Sequence, residues 1–258
     1  MRDVEQYDFE RIDNLRDFGG VASLHGGRVL AGRLFRSAHL GDASSADIAG
    51  LERLGIAIVT DLRRTTERRR QPSRWQAFTG RLICSDTGDR AEGPHVEFLR
   101  QGDFSDAGVA AYLSGYYRQA PFEPRHLAMF AETFAALQEI DGALLVHCAA
   151  GKDRTGLLAA LIQRALGVHT DDVMADFLAT NAVMMTPARR QQVAESLAPI
   201  VGGAPSEAIL RGFMGVSTGH LQIAFAAIDA QAGSLDAYFA RIGMGAAQRD
   251  GLGARLLV

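Results

Sequence analysis

At 258 residues, with 47% hydrophobic and 22% charged residues, the chain has the composition of a globular protein of one large domain or two small ones, and disorder, collagen and coiled coil are poor fits. A formal charge of −3 gives no general attraction to nucleic acid. Two cysteines, Cys84 and Cys148, permit neither a disulfide framework nor a four-cysteine zinc site.

The N-terminal run Met1-Arg2-Asp3-Val4-Glu5-Gln6-Tyr7-Asp8 carries acids where a secretory peptide has its apolar core. The longest strongly apolar stretches, Ala143–Val146 and Leu157–Ile162, fall far short of the ~20 residues that cross a bilayer. These features predict a soluble, cytoplasmic protein without stable membrane insertion, signal-less export remaining open. Further along, the first strand is expected at Arg33–Arg36. Ser44 to Leu54 then carries cap-type residues and apolar positions three apart before Gly55, the pattern of a crossover helix. A strand follows at Ile56–Asp61, and Asp61 with Arg63 reads as a structural ion pair. The arginine-rich run Arg63–Arg70 reads as a solvated helix face. Arg81–Cys84 is the third strand, with Cys84 as a small buried thiol; a reversible disulfide to Cys148 is the competing idea.

Residues Thr87–Pro124 form a long connection with Gly, Asp and Pro at its start and aromatics at Tyr112, Tyr116 and Tyr117, of a kind that is usually functional. A helix over Arg125–Glu139, ended by Asp141-Gly142, delivers the chain into the apolar strand Ala143–His147. Arg154–Leu166 is helical and stops at Gly167, and helix starts are read at Thr170, Thr186 and Ser234. Strands alternating with helices predict an α/β fold with a mostly parallel sheet and a helical C-terminal half. With no repeat or low-complexity linker, residues 1–258 read as one domain.

The chemistry concentrates in His147-Cys148-Ala149-Ala150-Gly151-Lys152-Asp153-Arg154-Thr155-Gly156, where a buried strand ends and a helix begins. Ligand crevices of open α/β sheets form at the carboxyl ends of strands. Small residues at Ala149, Ala150 and Gly151 let backbone N–H groups converge, and the helix N-terminus adds its positive end, a combination that binds a tetrahedral oxyanion. A thiol beside a helix N-terminus and cations ionises readily, which makes Cys148 an expected activated nucleophile. Arg154, six residues on, carries the planar fork that binds two oxygens of a phosphoryl group. Attack of sulfur on phosphorus would give a phosphocysteine, with Arg154 holding the charge of the transition state.

This decapeptide resembles the signature loop of the cysteine-dependent protein tyrosine and dual-specificity phosphatases. With Gly-Lys-Asp-Arg-Thr-Gly it is most similar to the atypical bacterial and fungal tyrosine phosphatases, a family that includes secreted mycobacterial and listerial enzymes acting on phosphoproteins and phosphoinositides. Asn14 to Gly20, Gly32 to Ser37, Leu54 through Arg63, and Gly233-Ser234-Leu235 followed by Tyr238 extend the likeness over nearly the whole chain. The resemblance implies a central four-stranded parallel sheet flanked by helices, with a helical lid at 87–124. It implies Cys148 as nucleophile, Arg154 as clamp, the amides from Ala149 to Arg154 as cradle, and His147 as a residue holding the loop. Thr155 is a possible donor to the Cys148 sulfur and part of the phosphate site with Ala149, Ala150, Gly151 and Lys152. The general acid is Asp153 first and Asp86 second, because the only tryptophan, Trp75, is followed by Gln76 and the tryptophan-proline-aspartate pattern of other tyrosine phosphatases is absent. Lys152 in the loop suits multiply phosphorylated inositol lipids as well as phosphoproteins. No cofactor, metal or nucleic acid is implied. The alternatives to this reading are a rhodanese-type sulfurtransferase and a catalytically silent phospho-ligand-binding module. A metal site on His147 and Cys148 is disfavoured because adjacent strand residues point to opposite faces.

Overall fold

The computed structural model describes residues 9–87 and 94–258. Residues 1–8, on which the reading of the N-terminus rests, and 88–93, inside the expected lid, lie outside the described residues. The first half runs β1 (Arg16–Asp17), β2 (Leu34–Ser37), α1 (Ser45–Arg53), β3 (Ile56–Asp61), α2 (Thr65–Arg70) and β4 (Arg81–Ile83). Three helices follow, α3 (Pro94–Gln101), α4 (Asp106–Gln119) and α5 (Pro124–Glu139), before β5 (Ala143–His147). From there the chain is helical: α6 (Asp153–Ala165), α7 (Thr170–Met184), α8 (Pro187–Val201), α9 (Glu207–Met214), α10 (Thr218–Ala232), α11 (Leu235–Arg241) and α12 (Ala246–Leu256).

The sheet order is β1-β2-β5-β3-β4. Strands β2, β5, β3 and β4 are mutually parallel, as expected, and β1 adds an antiparallel edge of two residues that is too short to leave a periodic signal. Side chains alternate across the sheet and divide the core. Leu34, Ile58, Leu144 and Val146 join a large cluster with α5, α6, α7 and the C-terminal helices. Phe35, Val59, Ala143 and Leu145 face a smaller cluster that includes Leu40, Leu51 and Trp75. β5 is buried along its whole length, the signature of a parallel strand covered on both faces. Helix α6 is buried almost all round, and each of Leu157, Leu158, Leu161 and Ile162, at most 1% exposed, contributes ~1.5–3 kcal/mol of burial. A third cluster stands apart from both: Leu99, Val109, Ala208 and Ile209, with Phe98, Leu113 and Phe213 around them, join α3 and α4 to α8 and α9.

Most of the caps read from sequence are present; at α7, which starts at Thr170, the cap is His169, whose ring accepts from Asp171 N. Ser44 and Asp47 close a reciprocal box at the start of α1, Thr186 caps α8 ahead of Pro187, and Ser234 caps α11. Burial of charge is what the sequence did not announce. Arg36, on β2, is fully buried and its Nη1 meets Asp176 Oδ2 of α7 at 2.6 Å, while Arg16 Nε of β1 reaches Asp176 Oδ1 at 2.9 Å. One carboxylate therefore ties α7 to the edge of the sheet. Removing one partner of a buried ion pair strands the other charge, so Asp176→Ala is expected to lose about 3–5 kcal/mol of stability in urea denaturation; a loss under about 1 kcal/mol would mean that this triad is not what seats α7.

Candidate active site

The loop between β5 and α6 is built by constraint on its backbone. Gly151 has φ +67°, and a Cβ there would lie 2.4 Å from the carbonyl carbon and oxygen of Ser37, so only glycine lets the loop lie against β2. Its carbonyls are turned outward and held. Asn14 Nδ2 donates to Gly151 O at 2.8 Å and to Ala150 O at 3.4 Å, and Arg36 Nη2 donates to Gly151 O at 2.9 Å and Lys152 O at 3.4 Å. Asn14 itself holds φ +57° to make this contact. Among the described residues, the amides of Ala149, Ala150, Gly151 and Lys152 donate to no protein acceptor. Together with the unpaired N–H groups of the first turn of α6, they leave a run of donors without protein acceptors between Cys148 and Arg154.

Cys148 sits at the end of β5, 2% exposed, and lines one pocket with Ala149, Ala150, Lys152, Asp153 and Arg154. Behind the loop, His147 is buried and places Nε2 3.8 Å from Asp61 Oδ2; burial, only partly offset by Asp61, holds its pKa below the usual imidazole value. Asp61 is shared with Arg63 in the expected ion pair at 2.8 Å. The guanidinium of Arg154 is oriented by a residue that sequence reasoning missed, Glu67: Nη1 meets Oε2 at 2.6 Å, Nη2 meets Oε1 at 2.8 Å, and Nη1 also reaches Leu62 O at 3.1 Å. Glu67 is placed there by the start of α2, where its carboxylate accepts from Arg64 N at 2.7 Å. The Arg-x-x-Glu spacing at a helix start was the available signal. Burial works against the Glu67 charge, but Arg154 outweighs it and holds the carboxyl far below the usual range.

Asp153, first residue of α6, accepts on Oδ1 from Lys152 Nζ at 2.9 Å and from the hydroxyl of Tyr117. Burial would raise its pKa, yet Lys152 and these hydrogen bonds bring it below the usual carboxylate value. Lys152 is 5% exposed, and its Nζ also meets Gly215 O at 3.3 Å. A third pair, Arg64 Nη2 to Glu123 Oε1 at 2.7 Å, lines the same pocket with His126, which burial pushes down to about 4. The far wall is aromatic: Tyr112 and Tyr116 from α4 and Phe213 from α9, with Phe98, Tyr112 and Phe213 stacked at 4.3–6.0 Å.

Several expectations are corrected. Asp86 does not join the pocket: its side chain is 74% exposed, accepts from Thr65 and pairs with Arg68, and these partners hold it as a carboxylate. Cys84 is exposed, because β4 ends at Ile83 and the residue falls in the irregular segment that follows. Thr155 does not reach the Cys148 sulfur; its Oγ1 is buried with no partner among the described residues. The arginine run is solvated only at Arg69 and Arg70, whereas Arg63 and Arg64 are 2% and 7% exposed and ion-paired. The segment expected as a lid contains α3 and α4, which contribute Pro94, His95, Tyr112, Leu113 and Tyr116 to the pocket.

The sequence profile of the tyrosine phosphatase family matches residues 7–258. A Cupriavidus necator protein with a provisional tyrosine-protein phosphatase name is 34% identical over 232 residues, covering 89% of this chain and 81% of the relative. The triple specificity protein phosphatase PtpB of Mycobacterium tuberculosis is 32% identical over 260 residues, covering 90% of this chain and 91% of the relative. A tyrosine-protein phosphatase of Nostoc commune is 27% identical over 159 residues, 58% of this chain and 48% of its own length.

The Glu67–Arg154 pair makes a pH-dependent prediction. Because the folded carboxyl titrates below its ordinary value of 4.5, its contribution is complete above that value and is lost as pH falls through the depressed one. Glu67→Gln is therefore expected to cost about 1.5–3 kcal/mol near pH 7, the worth of hydrogen bonds to a charged group. In urea denaturation the gap from wild type should shrink steadily as the pH is lowered below 4.5; a gap independent of pH would mean that the charge contributes nothing.

Proposed function

The chain belongs to the tyrosine phosphatase family, and on that premise we propose that this phosphatase works through a phosphocysteine at Cys148. The observation that carries this reading is the pairing of Cys148 and Arg154 in one pocket, with the amides between them free of protein acceptors. The thiolate attacks phosphorus, the ester P–O bond breaks, and Asp153 gives a proton to the departing oxygen. Amides and guanidinium bind the three remaining oxygens as the charge spreads over them. In the second step Asp153, now ionised, takes a proton from water; the water oxygen bonds to phosphorus, the S–P bond breaks, and inorganic phosphate leaves.

Asp153 rests as a carboxylate, so it must take up a proton from solvent as the substrate binds. The pocket favours that coupling. Among the described residues its cations, Arg64, Lys152 and Arg154, are matched by Glu123, Asp153 and Glu67, and burial lowers the pKa of both His95 and His126. A phosphate dianion entering a balanced pocket opposes the Asp153 charge and raises its affinity for a proton.

Phosphotyrosine in proteins is the substrate we place first, because Tyr112, Tyr116 and Phe213 offer an aromatic slot beside the loop. Phosphoserine and phosphothreonine proteins and phosphoinositides are the wider range, supported by the Gly151-Lys152 pair and by a relative named for triple specificity. The engagement of Lys152 by Asp153 ranks the inositol lipids behind phosphotyrosine. Helices α3 and α4, over the pocket, act as the lid.

Cys148→Ser is expected to abolish hydrolysis of para-nitrophenyl phosphate assayed with chelator present; retained turnover would sink the covalent mechanism. Asp153→Asn should lose ~10²–10⁴-fold on phenyl phosphate and far less on the para-nitrophenyl ester, whose leaving group needs no proton. Asp86→Asn should stay within about twofold of wild type on both, since its carboxylate lies outside the pocket. A panel of phosphotyrosine peptide, phosphoserine peptide and short-chain phosphoinositide should give the highest kcat/KM for the first.

A further inference from the structure

Tyr117 has no part in the steps above, yet it is a fully buried phenol whose hydroxyl donates to Asp153 Oδ1. Its ring is fixed on three sides. It stacks on His220 at 4.6 Å and 17°, and meets Tyr116 and Phe177 edge-on at 5.3 Å and 6.4 Å. The second donor to Asp153, Lys152 Nζ, reaches the same oxygen at 2.9 Å. Among the described residues no donor reaches Oδ2. The two oxygens of one carboxylate are thus held in different chemical states.

Resting on the proposed role of Asp153, we infer that Tyr117 is a positioning residue, pinning Oδ1 so that Oδ2 is the oxygen that carries the proton to the leaving group and takes it back from water. The argument is one of lone pairs. A carboxyl protonated on Oδ2 keeps both hydrogen bonds on Oδ1, whereas protonation on Oδ1 forfeits them. Proton transfer through Oδ2 therefore leaves the carboxyl unrotated in both steps, and the atom that gives the proton is already aimed when water arrives.

The charged and titratable groups facing Asp153 are Lys152 and Arg154 beside it, Tyr112, Tyr116 and Tyr117 from α4, His95 from α3 and His220 from α10. Burial, reinforced by the Asp153 charge, pushes the Tyr117 phenol well above its ordinary value, so it stays a donor throughout the working range. His220 has its pKa lowered by burial and then by Lys152, and serves as the surface on which the phenol ring lies.

The test is Tyr117→Phe, which keeps the ring and deletes the donor. The expected result is a kcat about tenfold lower on phenyl phosphate and less than about threefold lower on para-nitrophenyl phosphate, with KM and orthovanadate affinity unchanged. Because the lost donor favoured the carboxylate, the basic limb of the kcat profile on phenyl phosphate should move to higher pH. The double variant Tyr117→Phe with Asp153→Asn should be no slower than Asp153→Asn alone. Difluorotyrosine installed at position 117, a stronger donor on the same ring, should move the limb the other way and covers the case of a phenylalanine variant that does not fold. Equal losses on both esters, an unmoved limb or additive variants would overturn the inference. An Asp153→Asn variant indifferent to the leaving group would overturn the reading of Asp153 and this inference with it, whereas a sensitive Asp153→Asn beside an indifferent Tyr117→Phe would overturn the inference alone.

Discussion

Backbone amides can point at one centre only if their carbonyls are satisfied on the opposite side, and this requirement organises the sheet edge of the molecule. Asn14 and Arg36 take the outward carbonyls of Ala150, Gly151 and Lys152. Arg36 is itself held by Asp176, which is also bound by Arg16 of the short antiparallel strand β1. The left-handed Gly151 then lets the loop close on Ser37 without a side chain in the way. The two-residue strand, the fully buried arginine and the carboxylate on α7 thus act on the proposed phosphate site, a pocket that none of them lines. They keep its donors preorganised, which is the form in which electrostatic stabilisation is most effective.

How much of this was legible follows from the range of each signal. The strands β3 and β5, helix α1 with its Ser44 cap and the loop around Cys148 announce themselves within a dozen residues, through periodicity, capping or local spacing, and the structure places them within a residue or two of expectation. Glu67 carried a local signal that was overlooked because an arginine run normally faces water. Asp176, Asn14 and Arg36 act across long stretches of chain, |i−j| from 115 to 140 for the contacts to Gly151 and Asp176, and no single sequence displays such pairings. Asp86 and Cys84 failed for a shared reason. The strand before them stops at Ile83, so Cys84, expected as a buried strand residue, is exposed, and Asp86, expected at the pocket, lies on the surface, where Thr65 and Arg68 hold it.

The same geometry bears on how a chain of net charge −3 could present the proposed phosphate site when the described cations of the pocket are already paired. A site made attractive by free lysines and arginines would bind any polyanion and would be sensitive to salt. Among the described residues each cation lining the pocket has a carboxylate partner, so within them the attraction that would distinguish a phosphoryl group comes from the amides of the loop and from the edge of Arg154 that Glu67 leaves open. Amide dipoles carry no counter-charge to be stripped away and are fixed in direction by the loop, so they reward a tetrahedral or trigonal-bipyramidal oxyanion rather than charge in general. The carboxylates also set the price of entry in protons, since a dianion placed among them raises the proton affinity of whichever acid is least committed. Glu67 is committed through both oxygens to Arg154, and Asp153 through one oxygen only. Glu123 likewise meets Arg64 through one oxygen, so what would single out Asp153 is its free oxygen together with its place between Cys148 and Arg154, where a bound dianion would raise proton affinity most.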